Sequence, residues 1–362
     1  MAFDDNLTSN PNEAKPNAVL QGISTALGKM RANDEMFELL TAFAELEPVA
    51  LEKSTVELAR NNPTMADAVK RLLGKRGENT EPEILIPDVS SRDSTIPGPA
   101  GPLPVRIYTP RDQSAVLPVI VYFHGGGWVI ADKNVYDGGA RSLSSKSKAI
   151  VISVDYRQAP EHKFPAAWDD ALAAYRWTIE NAAELNGDTT RVALAGESAG
   201  GNLAVATAIA ARDAGLPTPA HVLSVYPVAQ TSLNTESYIE NALAMPLNRA
   251  MVEWFVKQLV RSDADLKDKR LQLIDARLTG LPPVTIINAR IDPLRSDGAK
   301  LEEALSDAGV PVERREYQGV THEFFGCGAV LETAREALDY AGERLRVAFG
   351  TVTERSPVTG LS

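Results

Sequence analysis

The sequence predicts an α/β fold, with a mostly parallel sheet of about eight strands, flanking helices and an antiparallel edge at its N-terminal side. Three observations predict it. From Leu117 onward, short apolar runs alternate with segments of helical apolar spacing, the texture of a parallel sheet covered on both faces. Two strand-like stretches joined by a Pro/Gly turn come before that alternation. Apolar residues make up 44% of the 362 positions, enough for one large core with additions.

In chain order, residues 1–18 are polar and rich in Asn and Pro. From Val19 to about Lys75 the spacing is helical: Met36, Phe37, Leu39, Leu40 and Phe43 recur on one face. Val56, Leu58, Val69, Leu72 and Leu73 continue the pattern past Pro48 and Pro63. "EILIPDV" (83–89) and "LPVRIYTP" (103–110) predict two strands around the turn "PGPAGP" (97–102). Further strands are predicted at Leu117–Phe123, Ala149–Tyr156, Arg191–Ala195, His221–Tyr226 and Val284–Asn288. Helices are predicted at about Ala166–Leu185, Gly200–Arg212, Gly298–Ala308 and Ala329–Ala348. Between about Val228 and Thr279 the alternation pauses, and "AMPLNRAMVEWFVKQLV" (244–260) supplies an inserted apolar helix.

The formal net charge of -11 argues against nucleic acid or an anionic membrane as partner. Cys327 is the only cysteine, so no intrachain disulfide can form and a reducing, cytoplasmic setting is expected. No apolar run approaches the ~18 residues of a membrane span, and the start "MAFDDNLTSN" does not resemble a signal peptide. H-E-x-x-H, G-x-G-x-x-G and P-loop motifs are missing from the sequence, so neither a metal nor a dinucleotide is expected, and no cofactor.

The most informative stretch is "VALAGESAGGNLAVATA" (192–208). A strand runs into Gly196-Glu197-Ser198-Ala199-Gly200, and a small-residue helix follows, the strand–turn–helix setting of a nucleophile elbow. A turn that tight needs almost bare residues two before and two after the serine. It would hold Ser198 Oγ above the sheet, at a helix N-terminus.

A serine hydroxyl needs a base. Of the four histidines, His221 opens an apolar strand, His162 lies in a Pro-bounded loop, and His124 is better placed to brace the glycines after it. His322, in "YQGVTHEFFG", follows the last predicted strand, where ligands gather in open α/β sheets. It also lies after Ser198, as the order Ser…Asp/Glu…His requires. Asp292 comes right after the predicted strand Val284–Asn288 and is placed to orient the imidazole; Asp297 competes, but lies where an acidic helix cap explains it.

The strand Leu117–Phe123 ends in His124-Gly125-Gly126-Gly127-Trp128. Three bare glycines are costly to order. They have a use if the N–H groups of Gly125 and Gly126, with that of Ala199, hold the oxyanion of a tetrahedral intermediate.

From about Pro104 to Phe349 the chain resembles the bacterial hormone-sensitive-lipase-like carboxylesterases, family IV of the α/β-hydrolase superfamily. The likeness rests on "HGGGW" (124–128), "DYRQAPEHKFPAAWDD" (155–170), "GESAGGN" (196–202), "DPLR" (292–295) and "GVTHEF" (319–324). It implies Ser198 as nucleophile, His322 as base, Asp292 as orienter, and Gly125, Gly126 and Ala199 as oxyanion donors. It implies a small acyl ester of short to medium chain as substrate, and it permits a homodimer. It also implies a helical cap. Residues 1–80 would contribute to that cap, 81–350 would form the catalytic domain with a cap insertion at about 228–279, and 351–362 a C-terminal tail. Glu197 stands where the family more often has Asp or Thr, and Ser296 where a second acid is common.

Amidase, lactonase and deacetylase chemistry would use the same residues, and a hydrolase-fold binding protein without turnover is the reading from another class. Phe37, Phe43, Trp128, Met245, Trp254 and Phe255 are candidates for the acyl pocket and equally for the core.

Overall fold

Three helices, α1 (Asp34–Ala44), α2 (Val56–Arg60) and α3 (Met65–Lys75), lead the part of the chain described by the computed structural model, residues 31–111 and 115–352. The expectations for residues 1–18, for the start of the helical stretch at Val19 and for residues 353–362 of the tail lie outside the described residues. Each of the three helices opens on a polar side chain that satisfies an orphan N–H. Asn33 accepts from Met36 N, Thr55 from Leu58 N, and Thr64 and Asp67 form a reciprocal capping box. Their apolar faces bury Met36, Leu39, Leu40 and Phe43 of α1 and Met65, Ala68, Leu72 and Leu73 of α3.

The first predicted strand is misplaced. Pro82 starts a single helical turn, α4 (Pro82–Leu85), whose Ile84 and Leu85 face outward at 59% and 37% exposure. The strand is the more polar stretch that follows, β1 (Val89–Gly98), paired antiparallel with β2 (Gly101–Pro110). Only Val89 and Ile96 of β1 are buried, because an edge strand has little core to face; its sequence therefore lacks the apolar signal.

The alternation then runs β3 (Leu117–Phe123), α5 (Asp137–Ser147), β4 (Ile150–Val154), α6 (Ala166–Asn181), β5 (Gly187–Glu197), α7 (Ala199–Asp213) and β6 (Val222–Val225). After the insertion, which holds α8 (Glu236–Glu240) and α9 (Arg249–Leu259), come β7 (Val284–Ile291), α10 (Arg295–Asp307), β8 (Val312–Thr321) and α11 (Glu332–Ala348). Helix α5 is absent from the sequence-based expectation. Its "DGGARSLSSKS" has no apolar period, and it buries Arg141, Ser142, Ser144 and Ser147 alongside Ala140 and Leu143. Arg141 is tolerated there because Asp137, Ser91 and the carbonyl of Val89 accept its protons.

The sheet has eight strands in the order β1-β2-β4-β3-β5-β6-β7-β8. β2 pairs antiparallel with β1 and β4, and every other pair is parallel. In β3 all seven residues are buried: Val119, Val121 and Phe123 enter one core layer, Ile120 and Tyr122 the other. Parallel strands covered on both faces have this continuous apolar texture. The fold lines up the carboxyl ends of β3, β5, β6, β7 and β8 along one edge, and the chain's chemistry-bearing residues follow those ends.

Candidate active site

Ser198 stands between the last residue of β5 and the first of α7, with φ 57° and ψ −118°. A left-handed φ in a non-glycine residue costs on the order of 1–3 kcal/mol, and persists only where the surroundings enforce it. Here they do. A Cβ on Gly196 would strike the carbonyl of Gly200, and one on Gly200 would strike the carbonyl of Phe123 at the end of β3. Both glycines of G-x-S-x-G are thus fixed by close backbone approach. The hydroxyl meets the N-terminus of the 15-residue helix α7, where partial positive charge favours a developing anion.

His322, the residue after β8, places Nε2 2.9 Å from Ser198 Oγ and Nδ1 2.7 Å from Asp292 Oδ2. Asp292 follows the last residue of β7. Its other oxygen accepts from Leu294 N at 2.8 Å, and Asn241 of the insertion donates to its backbone carbonyl at 3.0 Å. Asp292 is an acceptor only, so the ring proton sits on Nδ1 and Nε2 is left to accept from the serine hydroxyl. All three side chains are buried. Burial disfavours the imidazolium, but the Asp292 carboxylate, helped by Glu323 and Glu197, outweighs it and holds His322 above the ordinary histidine range.

The glycine loop faces this row from the end of β3. The N–H groups of Val129 and Ile130 both donate to the Gly126 carbonyl, closing a tight turn in which Gly126 has φ +91°. A Cβ there would run into the Ile130 carbonyl, while one on Gly127 would enter the Phe255 ring. Among the described residues no protein acceptor meets the N–H of Gly125, Gly126 or Ala199. His124 braces the loop: its Nδ1 lies 2.8 Å from the Gly125 carbonyl, and its ring stacks on Tyr156 at 4.3 Å. Burial lowers its pKa, keeping it neutral.

Above Ser198 and His322 lies a cavity of about 450 Å³ with mostly apolar walls. Phe43, Leu51 and Met65 reach it from the N-terminal helices, Trp128 from the glycine loop, and Met245, Met251 and Phe255 from the insertion. Of the six side chains considered for the pocket, Phe37 instead lies 42% exposed on α1, and Trp254 packs edge-on against Phe255 behind the wall.

The remaining candidates fall elsewhere. Asp297 is not a helix cap, because its side chain turns inward. Its carboxylate accepts from Ala229 N and Gln230 Nε2, pinning the strand-end loop after β6, and burial raises its pKa to about 7. His221 is buried against Thr285, and His162 is exposed. Cys327 is buried, with its thiol pushed far up by desolvation, the opposite of an activated nucleophile. Ser296 accepts from Ser237 N, joining α10 to α8.

Tyr122, Tyr226 and Asn241 escaped the sequence-based expectation: the tyrosines sit in apolar strand runs and look like core, and Asn241 lies in the insertion. Among the described residues no cluster of His, Cys, Asp and Glu is arranged to hold a metal, and no helix is long and apolar enough to cross a membrane.

The model of a family described as having the alpha/beta hydrolase fold matches residues 120–326. Carboxylesterase NlhH of Mycobacterium tuberculosis is 39% identical over 308 residues, covering 83% of this chain and 96% of the relative. The ethyl acetate hydrolase of Pseudomonas putida is 35% identical, over 67% of this chain and 78% of its own. Among solved structures, a Pyrobaculum calidifontis esterase superposes with a TM-score of 0.75 at 34% identity, over 85% of this chain and 97% of that one. An ester hydrolase from the metagenome of Lake Arreo, bound to a bipyridine phosphonate derivative, gives 0.77 at 34% identity, over 88% and 99%. With this strand order, these strand-end residues and these relatives, the chain belongs to the α/β-hydrolase superfamily and, within it, to the hormone-sensitive-lipase-like carboxylesterases.

Proposed function

We propose that this chain hydrolyses carboxylic esters of short to medium acyl chain through an acyl-enzyme. The observation that carries the reading is the unbroken chain of contacts from Ser198 Oγ to His322 to Asp292, at 2.9 and 2.7 Å, on the floor of an apolar cavity. Ser198 Oγ attacks the ester carbonyl while His322 Nε2 takes its proton. Asp292 keeps the ring in the accepting tautomer and stabilises the imidazolium. The carbonyl oxygen, now an anion, turns toward the N–H groups of Gly125, Gly126 and Ala199. His322 then protonates the departing alkoxide. In the second half it activates water, which releases the acid and restores the serine.

The cavity lies within the usual size range for small-molecule sites and offers apolar walls to an acyl or alcohol chain. Its lining supports the domain reading, with the helices of residues 1–80 and the 228–279 insertion forming the cap over a catalytic domain of 81–350. A single buried thiol agrees with a cytoplasmic enzyme, and the family resemblance permits a homodimer, which light scattering would reveal.

The test is a p-nitrophenyl ester series from acetate to palmitate, on wild type and on Ser198→Ala. Turnover that peaks at short or medium chains and falls by roughly 10⁴-fold or more in the variant is expected. Undiminished turnover in Ser198→Ala would sink the mechanism. Tight ligand binding by wild type with no product released would point to a binding protein.

A further inference from the structure

We infer that Glu197 is a positioning residue for His322, because its carboxylate grips two tyrosine hydroxyls and one of those tyrosines, Tyr226, lies against the imidazole. The inference rests on the proposed esterase mechanism and assigns a task to a buried acid which that mechanism does not use.

Glu197 is 1% exposed and ends β5, one residue before Ser198. One carboxylate oxygen accepts from the hydroxyl of Tyr122 on β3, the other from that of Tyr226 at the end of β6, at 2.5 Å. These are the two neighbours of β5 in the sheet, so the side chain ties three strand ends together. Tyr226 is itself fixed: it has φ 33°, and its N–H donates to Ile287 of β7 at 2.6 Å. Its ring centroid lies 4.4 Å from that of His322, tilted by 49°. On the far side the carboxylate is walled in by α5, where a Cβ on Gly139 would collide with it. An acid so enclosed, with Tyr122, Tyr226, Glu323 and His322 around its charge, is costly to keep.

The chemistry around it suggests what is gained. His322 is faced by Asp292 from β7, by Glu323 from its own loop, and by Tyr226 and Glu197 from the ends of β6 and β5. Glu197 is faced by Tyr122, Tyr226, Glu323 and His322. Tyr136 lies near as well, holding Glu323 through a 2.5 Å hydrogen bond, and so does the Cys327 thiol. Burial raises Glu197 to about 7, against the pull of the two tyrosine bonds. The acid therefore does two things. Through Tyr226 it sets the plane of the imidazole, and when ionised it favours the imidazolium formed as Ser198 attacks.

The experiment is kcat and KM against pH for wild type, Glu197→Gln, Glu197→Asp and Tyr226→Phe, with unfolding followed by circular dichroism. Gln keeps the length and removes the charge; its amide oxygen accepts from one tyrosine hydroxyl, while its NH2 can only donate to the oxygen of the other. Expected is a kcat lower on the order of tenfold with KM within about twofold, and an acid limb of kcat/KM moved to lower pH. Asp, one methylene short of reaching both hydroxyls, keeps the charge, so it should lose kcat while the limb stays nearer its wild-type position. Tyr226→Phe should lower kcat without the full shift of the limb. A Glu197→Gln profile that superimposes on wild type overturns the inference. Should Glu197→Gln fail to fold, an unchanged kcat in Tyr226→Phe overturns it equally. Failure of the parent mechanism shows separately, as esterase activity that survives Ser198→Ala.

Discussion

Gly126→Ala separates a catalytic loop from a mere turn. At φ +91° an L-residue is strained by about 1–2 kcal/mol. The new methyl would also run into the Ile130 carbonyl and come within 3.0 Å of Ala131 Cβ, so the loop must shift, and forced overpacking of this kind costs about 1–3 kcal/mol. Together these destabilise the fold by about 2–5 kcal/mol, which in a chain of this size lowers the unfolding midpoint by roughly 3–7 °C. Turnover is affected separately. Relief of the clash swings the peptide that carries the Gly126 N–H, and losing one oxyanion donor costs about 3–4 kcal/mol of transition-state stabilisation, roughly 10²–10³ in kcat. The assay is hydrolysis of p-nitrophenyl butyrate well below the melting transition, with kcat and KM resolved. The expected variant is folded, binds substrate almost as well and turns over two to three decades more slowly. A lower melting point with kcat within about threefold of wild type would refute the oxyanion assignment.

Two further outcomes follow from the same geometry. His322 must be neutral to act as base, and its pKa is raised above the ordinary 6.5, so kcat/KM should fall as pH drops through a value above 6.5. A pH–rate profile that stays flat down to pH 6 contradicts that. Phe255→Ala removes a ring that walls the cavity beside Gly127, so the acyl optimum should move to longer chains, at about 3–5 kcal/mol of stability. The ester series shows the shift; an unchanged optimum would place the acyl chain elsewhere.

The backbone frame of the site was legible in the sequence because backbone demands leave few residue choices. Gly196 and Gly200 are dictated by contacts with neighbouring carbonyls, and Gly126 by its left-handed φ, so all three appear as motif. Strands β3 to β7 were legible for a related reason: buried on both faces along most of their length, they are mainly apolar. Where burial is one-sided or polar the signal vanished. β1 is an edge strand of Ser, Arg, Asp and Thr, and α5 fills its buried face with Arg141, which reaches Ser91 and the Val89 carbonyl on β1, and with serines that donate to nearby backbone carbonyls.

The same distinction explains why Glu197 showed only as a departure from a pattern and not as a function. A carboxylate beside the nucleophile has no meaning in the linear sequence, because its partners are 75 residues earlier and 29 later. Tyr122 and Tyr226 in turn pass as core residues, since an aromatic ring in an apolar strand needs no other explanation. What links them is the strand order: β5 lies between β3 and β6, so the last side chain of β5 can reach the hydroxyls of both neighbours. Strand order arises from crossover connections, and no local pattern encodes it. Reactive atoms set by backbone turns can thus be found from sequence, whereas side chains that adjust them from adjacent strands become visible only once the sheet is assembled.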